Sequence, residues 1–111
     1  MIDYDATMKS IGNDHSLFET LVQIFLEDYP VLLDDLRHAI TSDGFEKIYS
    51  AAHRLKGLVS NFHAREVVEI LAEIEASARL ASGTPDAAVV QQISEMCATV
   101  AAELKMKLGD S

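Results

Sequence analysis

The chain has 111 residues, 49% of them apolar, with no tryptophan, two prolines and a formal net charge of -9. That length fits one domain over residues 1–111, and the acidic balance argues against nucleic acid and anionic membranes as partners, since both need basic surface. No apolar run approaches the roughly 18 residues of a membrane span. The N-terminus MIDYDATMKS lacks the basic-then-apolar pattern of a secretory signal. The single cysteine, Cys97, can form no internal disulfide, so a reducing, cytoplasmic setting is expected.

Residues 1 to 15 leave room for a short helix around Tyr4 to Ile11. The first long helix is predicted from Ser16, which forms a capping-box pattern with Glu19. Its apolar residues, Phe18, Leu21, Val22, Phe25, Tyr29, Leu32, Leu33, Leu36 and Ile40, recur every three or four positions. Pro30 falls inside this pattern without shifting its phase, which predicts a kink or two helices nearly in line. Asp43 and Glu46 form a second capping box, opening a helix with the stripe Phe45, Ile48, Ala52, Leu55, Val59 and Phe62. A short turn at His63–Ala64 leads to a helix from Arg65 to Leu80, with Val67, Val68, Leu71, Ile74 and Ala78 inward. Ser82–Gly83 stops it, and Thr84–Pro85 reads as a cap and first-turn proline. The last helix carries Val89, Val90, Ile93, Cys97, Val100, Leu104 and Leu108. Short connections between four amphipathic helices predict an all-α, antiparallel up-down four-helix bundle over about residues 16–108, with the short N-terminal helix as an extra. A helical hairpin that dimerises to complete its bundle is the plainer alternative. Nothing in the sequence demands more than a monomer.

One feature of the second long helix resists a packing explanation. Gly57 sits mid-helix, where glycine costs about 1 kcal/mol relative to alanine. On a wheel of 100° per residue it lies nearly opposite the apolar stripe, so it does not bring helices of the bundle closer. Bare backbone on an outward face instead lets something bulky approach. His53 lies one turn earlier, about 130° from the core direction, and Lys56 is its neighbour three residues on. Ser60 and Asn61 continue a polar strip. An exposed imidazole that is largely neutral near pH 7, a cleared space and an ammonium within reach suit a phosphoryl group carried on histidine.

These residues, His53-Arg54-Leu55-Lys56-Gly57, resemble the H-x-L-K-G motif of the histidine-containing phosphotransfer (HPt) family. The layout of FLEDYPVLLDDLRHAI, DGFEKIYSAAHRLKG and a helical hairpin resembles that family over nearly the whole chain from Ser16. The resemblance implies that His53 exchanges a phosphoryl group with receiver-domain aspartates, that Lys56 stabilises it and that Gly57 permits docking. It implies response-regulator receivers as partners, and a histidine kinase in some pathways. It also implies no cofactor or metal of the chain's own, the magnesium being the receiver's. The chain would be a phosphocarrier without ATP-dependent kinase activity, and no glycine-rich phosphate loop is present. The sequence departs from the family pattern at Leu58 and Val59, where small or hydroxyl residues are common, and at His63, where glycine is expected.

Around this motif, Arg54, Leu58, Ser60 and Asn61 are candidate partner contacts, with Val59, Phe18 and Leu21 as further apolar ones. His15, His38 and His63 read as bystanders. His53 and His63 are ten residues apart and do not make a zinc site. Cys97 falls on an apolar stripe and reads as core. The acidic run Glu66, Glu69, Glu73 and Glu75 reads as a solvated helix face. Two other functions stay open at this stage: the phospho-acceptor domain of a chemotaxis-type kinase, and a helical adaptor without chemistry.

Overall fold

The computed structural model describes residues 1–42 and 44–109, and these form five helices: α1 (Tyr4–Ser10), α2 (His15–Ser42), α3 (Phe45–Ser60), α4 (Arg65–Arg79) and α5 (Ala87–Gly109). No strand occurs among the described residues. The four long helices form the expected bundle, with α3 packed between α2 and α4, and α5 closing the ring against α2 and α4. The long dimension, 44 Å, is set by α2, whose 28 residues span about 42 Å at the helical rise. No helix among the described residues is long and apolar enough to cross a membrane.

The buried residues follow the predicted stripes. Val22, Phe25 and Leu36 of α2, Ile48, Ala52, Leu55 and Val59 of α3, Val67 and Leu71 of α4, and Ile93, Cys97, Val100 and Leu104 of α5 are all buried. Each large side chain removed from water in this way contributes about 1.5–3 kcal/mol. Phe62, just beyond α3, is an aromatic hub. It meets the rings of Phe25 and Phe18 edge-on at 5.5 and 6.5 Å, and Phe18 in turn meets Tyr4 at 5.4 Å. Burial pushes the Cys97 thiol up to about 12, because a thiolate there would be stripped of water.

The helix boundaries differ from the sequence reading in three places. Asp14, not Ser16, caps α2: its Oδ1 accepts from the Leu17 amide at 3.0 Å. Asp86, not Thr84, caps α5, accepting from the Val89 amide at 2.9 Å. A carboxylate at the N-cap adds charge to the usual hydrogen bond, which favours Asp over a nearby Ser or Thr. The Asp43 cap expected for α3 lies outside the described residues. Gly44 holds the N-cap position at φ 92°, a conformation that suits glycine, with no side-chain cap bond. Pro30 sits within one continuous helix on its exposed side, where water can meet the carbonyl that loses its amide partner.

The N-terminal helix is tied down at both ends. The Asp3 amide donates to the Phe62 carbonyl at 3.0 Å, and the Met1 ammonium and Ile2 amide both reach Glu103, at 2.8 and 2.9 Å. His63, placed where the family pattern expects glycine, does take a left-handed backbone, φ 54°. Its ring Nε2 lies 3.0 Å from Ser10 Oγ, whose own proton goes to the Ala6 carbonyl. Nε2–H is therefore the donor, and His63 pins α1 to the α3–α4 turn.

Candidate functional site

Tyr49, His53, Lys56 and Gly57 are stacked on successive turns of α3, on the side turned toward α4 or outward. Because α3 packs along α4, one residue of α4 reaches the same place. Glu75 Oε2 lies 2.8 Å from His53 Nδ1, and Glu75 Oε1 is met by Lys56 Nζ as an ion pair rather than an aligned hydrogen bond. The Glu75 side chain is 8% exposed, Lys56 29% and His53 59%. The carboxylate is thus the buried base of the trio and the imidazole its exposed tip.

Burial alone pushes the Glu75 carboxyl up, but Lys56 and His53 more than reverse this, holding it below the usual carboxylate range of about 4.5. An ionised carboxylate only accepts hydrogen bonds, so His53 Nδ1 carries the proton of the neutral ring. Nε2 then keeps its lone pair, on a side chain that is 59% exposed. Fixing one ring nitrogen to define the chemistry of the other is how a second partner makes an imidazole a directed nucleophile. If Nε2 bonds to an electrophile, positive charge develops on the ring, and the carboxylate at Nδ1 stabilises it. Lys56 has three donors and only one is needed for Glu75, so it can share its charge with an anionic group on Nε2.

The structure brings His53, Lys56 and Gly57 into one patch. Gly57 is exposed, and a Cβ built on it meets nothing within 4 Å. No neighbour among the described residues requires a glycine there. The other four candidates divide. Arg54 is exposed but leans toward α2, where its Nη2 lies 3.4 Å from Asp35 Oδ2. Asn61 is exposed at the end of α3. Ser60 Oγ donates to the Lys56 carbonyl at 2.6 Å, so it is spent on its own helix. Leu58 is half-buried against the core. Val59 and Phe18, read as apolar contacts, are instead core, 0% and 2% exposed, because they lie in the i, i+3, i+4 rows facing the bundle axis.

Three residues of the site escaped the sequence reading. Glu75 is not on a solvated face, unlike Glu66, Glu69 and Glu73, which are exposed. A signal was available: Glu75 follows Leu71 by four and precedes Ala78 by three, so it stands in the apolar row of α4. Tyr49 stacks on His53, ring centroids 5.7 Å apart and planes 9° apart. Arg79, one turn beyond Glu75, donates from Nη2 to Tyr49 Oη at 2.7 Å. Among the described residues no group of three His, Cys, Asp or Glu side chains is placed to hold a metal ion.

No curated protein and no solved structure matches the chain. The family model of the Hpt domain matches residues 20–103, which includes all of α3 and α4 and most of α2 and α5. The chain belongs to the Hpt domain family, the helical domains that carry out histidine phosphotransfer in phosphorelays.

Proposed function

We propose that this chain is a phosphorelay intermediate whose phosphoryl carrier is Nε2 of His53, loaded from the aspartyl phosphate of one receiver domain and unloaded to the aspartate of another. The observation that carries this reading is the Glu75 carboxylate on Nδ1, which leaves an exposed Nε2 lone pair beside Lys56 and the bare backbone of Gly57. In the loading step the Nε2 lone pair forms the N–P bond. The P–O bond of the acyl phosphate breaks, and its electron pair stays on the receiver's carboxylate. Nδ1 keeps its proton, held by Glu75, and Lys56 offsets the charge of the phosphoryl group. Unloading is the same step reversed. The receiver brings the magnesium ion; the chain contributes no cofactor.

The docking surface is the outer face of α3 with the adjoining edge of α2. Leu17, Ile24 and Val31 are exposed apolar residues, at 41%, 41% and 59%, and recur every seven positions, so they share one face of α2. Asp35, four residues on from Val31, continues that row and pairs with Arg54 of α3. The row therefore borders the face that presents His53. A modest, partly apolar surface of this kind suits a transient partner. We place the relay in the cytoplasm, with the chain acting as a monomer; the single cysteine, buried in the core, accords with a reducing setting.

The test is to incubate the protein with a receiver phosphorylated on its aspartate and to follow the label. Acid-labile label on the wild type and none on a folded His53→Gln variant is the expected result. Label gained only from an ATP-bound kinase domain would assign the chain to a chemotaxis-type kinase instead. No label from any donor, with partner binding unchanged by His53→Gln, would make it an adaptor.

A further inference from the structure

We propose that Tyr49, anchored by Arg79, is a positioning residue that fixes the plane of the His53 imidazole. The torsion that spins an imidazole about its Cβ–Cγ bond is broad and roughly two-fold. Two things must be set before Nε2 points outward: the plane of the ring, and which edge of it faces α4. Glu75 settles the edge, since only the Nδ1–H edge finds an acceptor there. It does not settle the plane, because one hydrogen bond to a carboxylate tolerates a wide swing. His53 is 59% exposed, so close packing does not settle it either. The near-parallel Tyr49 ring, 9° from the His53 plane, is the contact that does.

Tyr49 is itself held. It stands one turn before His53 on α3 and is half-buried against the core. Its Oη accepts from Arg79 Nη2 at 2.7 Å, and the Arg79 guanidinium carbon lies 5.0 Å from its ring centroid. Arg79 stands one turn beyond Glu75 on α4. The two helices thus cross-brace the imidazole twice: α4 supplies Glu75 to the ring edge, and Arg79 to the phenol that backs the ring face. In the phosphotransfer step the tyrosine also lies against a ring that gains positive charge as the N–P bond forms, which its π-face favours.

The kinetic part of this proposal rests on the phosphotransfer reading of His53; the spectroscopic part does not. The experiment records the imidazole nitrogen shifts of His53 in the unphosphorylated protein, then the rate and KM of transfer from a phosphorylated receiver. In Tyr49→Ala the unbacked ring swings far enough to break the Glu75 bond part of the time, so we expect Nδ1 to move from a fully protonated shift part of the way toward the tautomer average. The saturating transfer rate should fall about tenfold while KM changes by less than about twofold, the pattern of a misplaced nucleophile. Tyr49→Phe keeps the stack and loses only the Arg79 bond, so its nitrogen shifts stay near wild type and its rate falls no more than about threefold. Arg79→Gln should match Tyr49→Phe, and the pair combined should add nothing further. Should Tyr49→Ala fail to fold, Tyr49→Leu retains apolar bulk without a ring plane and gives the same readouts. Unchanged nitrogen shifts in Tyr49→Ala or Tyr49→Leu would overturn the proposal. So would a loss confined to KM, which would make Tyr49 a docking residue. Failure of the wild type to accept label would refute the phosphotransfer reading while leaving the nitrogen shifts to decide the role of Tyr49.

Discussion

Gly57→Ala separates stability from function. The residue lies inside α3, is exposed, and has nothing within 4 Å of where a Cβ would stand. The substitution therefore creates no clash, and only the intrinsic preference of the helix acts. That preference stabilises the fold by about 1 kcal/mol, which raises Tm by about 4 °C for a domain of this size. On the proposed phosphotransfer reading, the same methyl group, one turn from His53, stands where the receiver docks. Thermal melts followed by circular dichroism, paired with KM for a phosphorylated receiver, should show a more stable protein whose KM is raised a few-fold. Gly57→Leu should raise KM about tenfold or more. A leucine variant that takes the phosphoryl group at the wild-type KM would refute the clearance argument. An alanine variant less stable than wild type would show that the glycine has an internal role.

Other consequences follow from the same structure. The Glu75 carboxyl is held below 4.5 in the folded state, so its contribution is complete above the ordinary carboxylate range and is lost as pH falls through the lowered value. Glu75→Gln should cost about 1 kcal/mol at neutral pH, a modest figure because His53 and Lys56 are partly exposed. Its stability gap from wild type should close on acidification, in melts taken down through the carboxylate range; a gap independent of pH would contradict the pairing. The same variant should lose roughly tenfold in transfer rate, since the partner that orients a reactive imidazole is gone. Cys97, buried with its thiol pushed up to about 12, should resist thiol reagents until the protein is unfolded, and rapid labelling of the native state would argue against its place in the core. Ile24→Asp, on the exposed apolar row of α2, should leave stability within about 0.5 kcal/mol and raise KM for the receiver, measured in the same transfer assay. An unchanged KM would move the docking surface off α2.

The helices were legible because burial along a helix repeats every three or four residues, and every stripe from Val22 to Leu104 obeys that spacing. The caps were less so. Ser16 and Thr84 are good cap residues by type, yet Asp14 and Asp86, each two positions earlier or later, accept the amide bond instead. Composition near a helix end offers several candidates, and only backbone geometry chooses among them. The site divides along the same line. His53, Lys56 and Gly57 belong to one helix, and helical spacing alone places them together. Glu75 and Arg79 belong to another, and their meeting with His53 and Tyr49 depends on how α4 slides along α3, which no single-helix pattern encodes. The exception is the position of Glu75 within the apolar row between Leu71 and Ala78, where a carboxylate needs a partner to be buried at all. His63 shows the reverse case. Its residue type argued against a left-handed turn, but the ring's bond to Ser10 offsets the backbone cost.

The central claim is that Glu75 keeps the proton on Nδ1 and leaves Nε2 of His53 to take the phosphoryl group. The most direct measurement is a nitrogen-correlated NMR spectrum of the imidazoles after loading with a small phosphoryl donor such as phosphoramidate. The account predicts phosphorus coupling at Nε2 of His53, with Nδ1 still protonated and no change at His15, His38 or His63. Coupling at Nδ1, or on one of those other histidines, would contradict it.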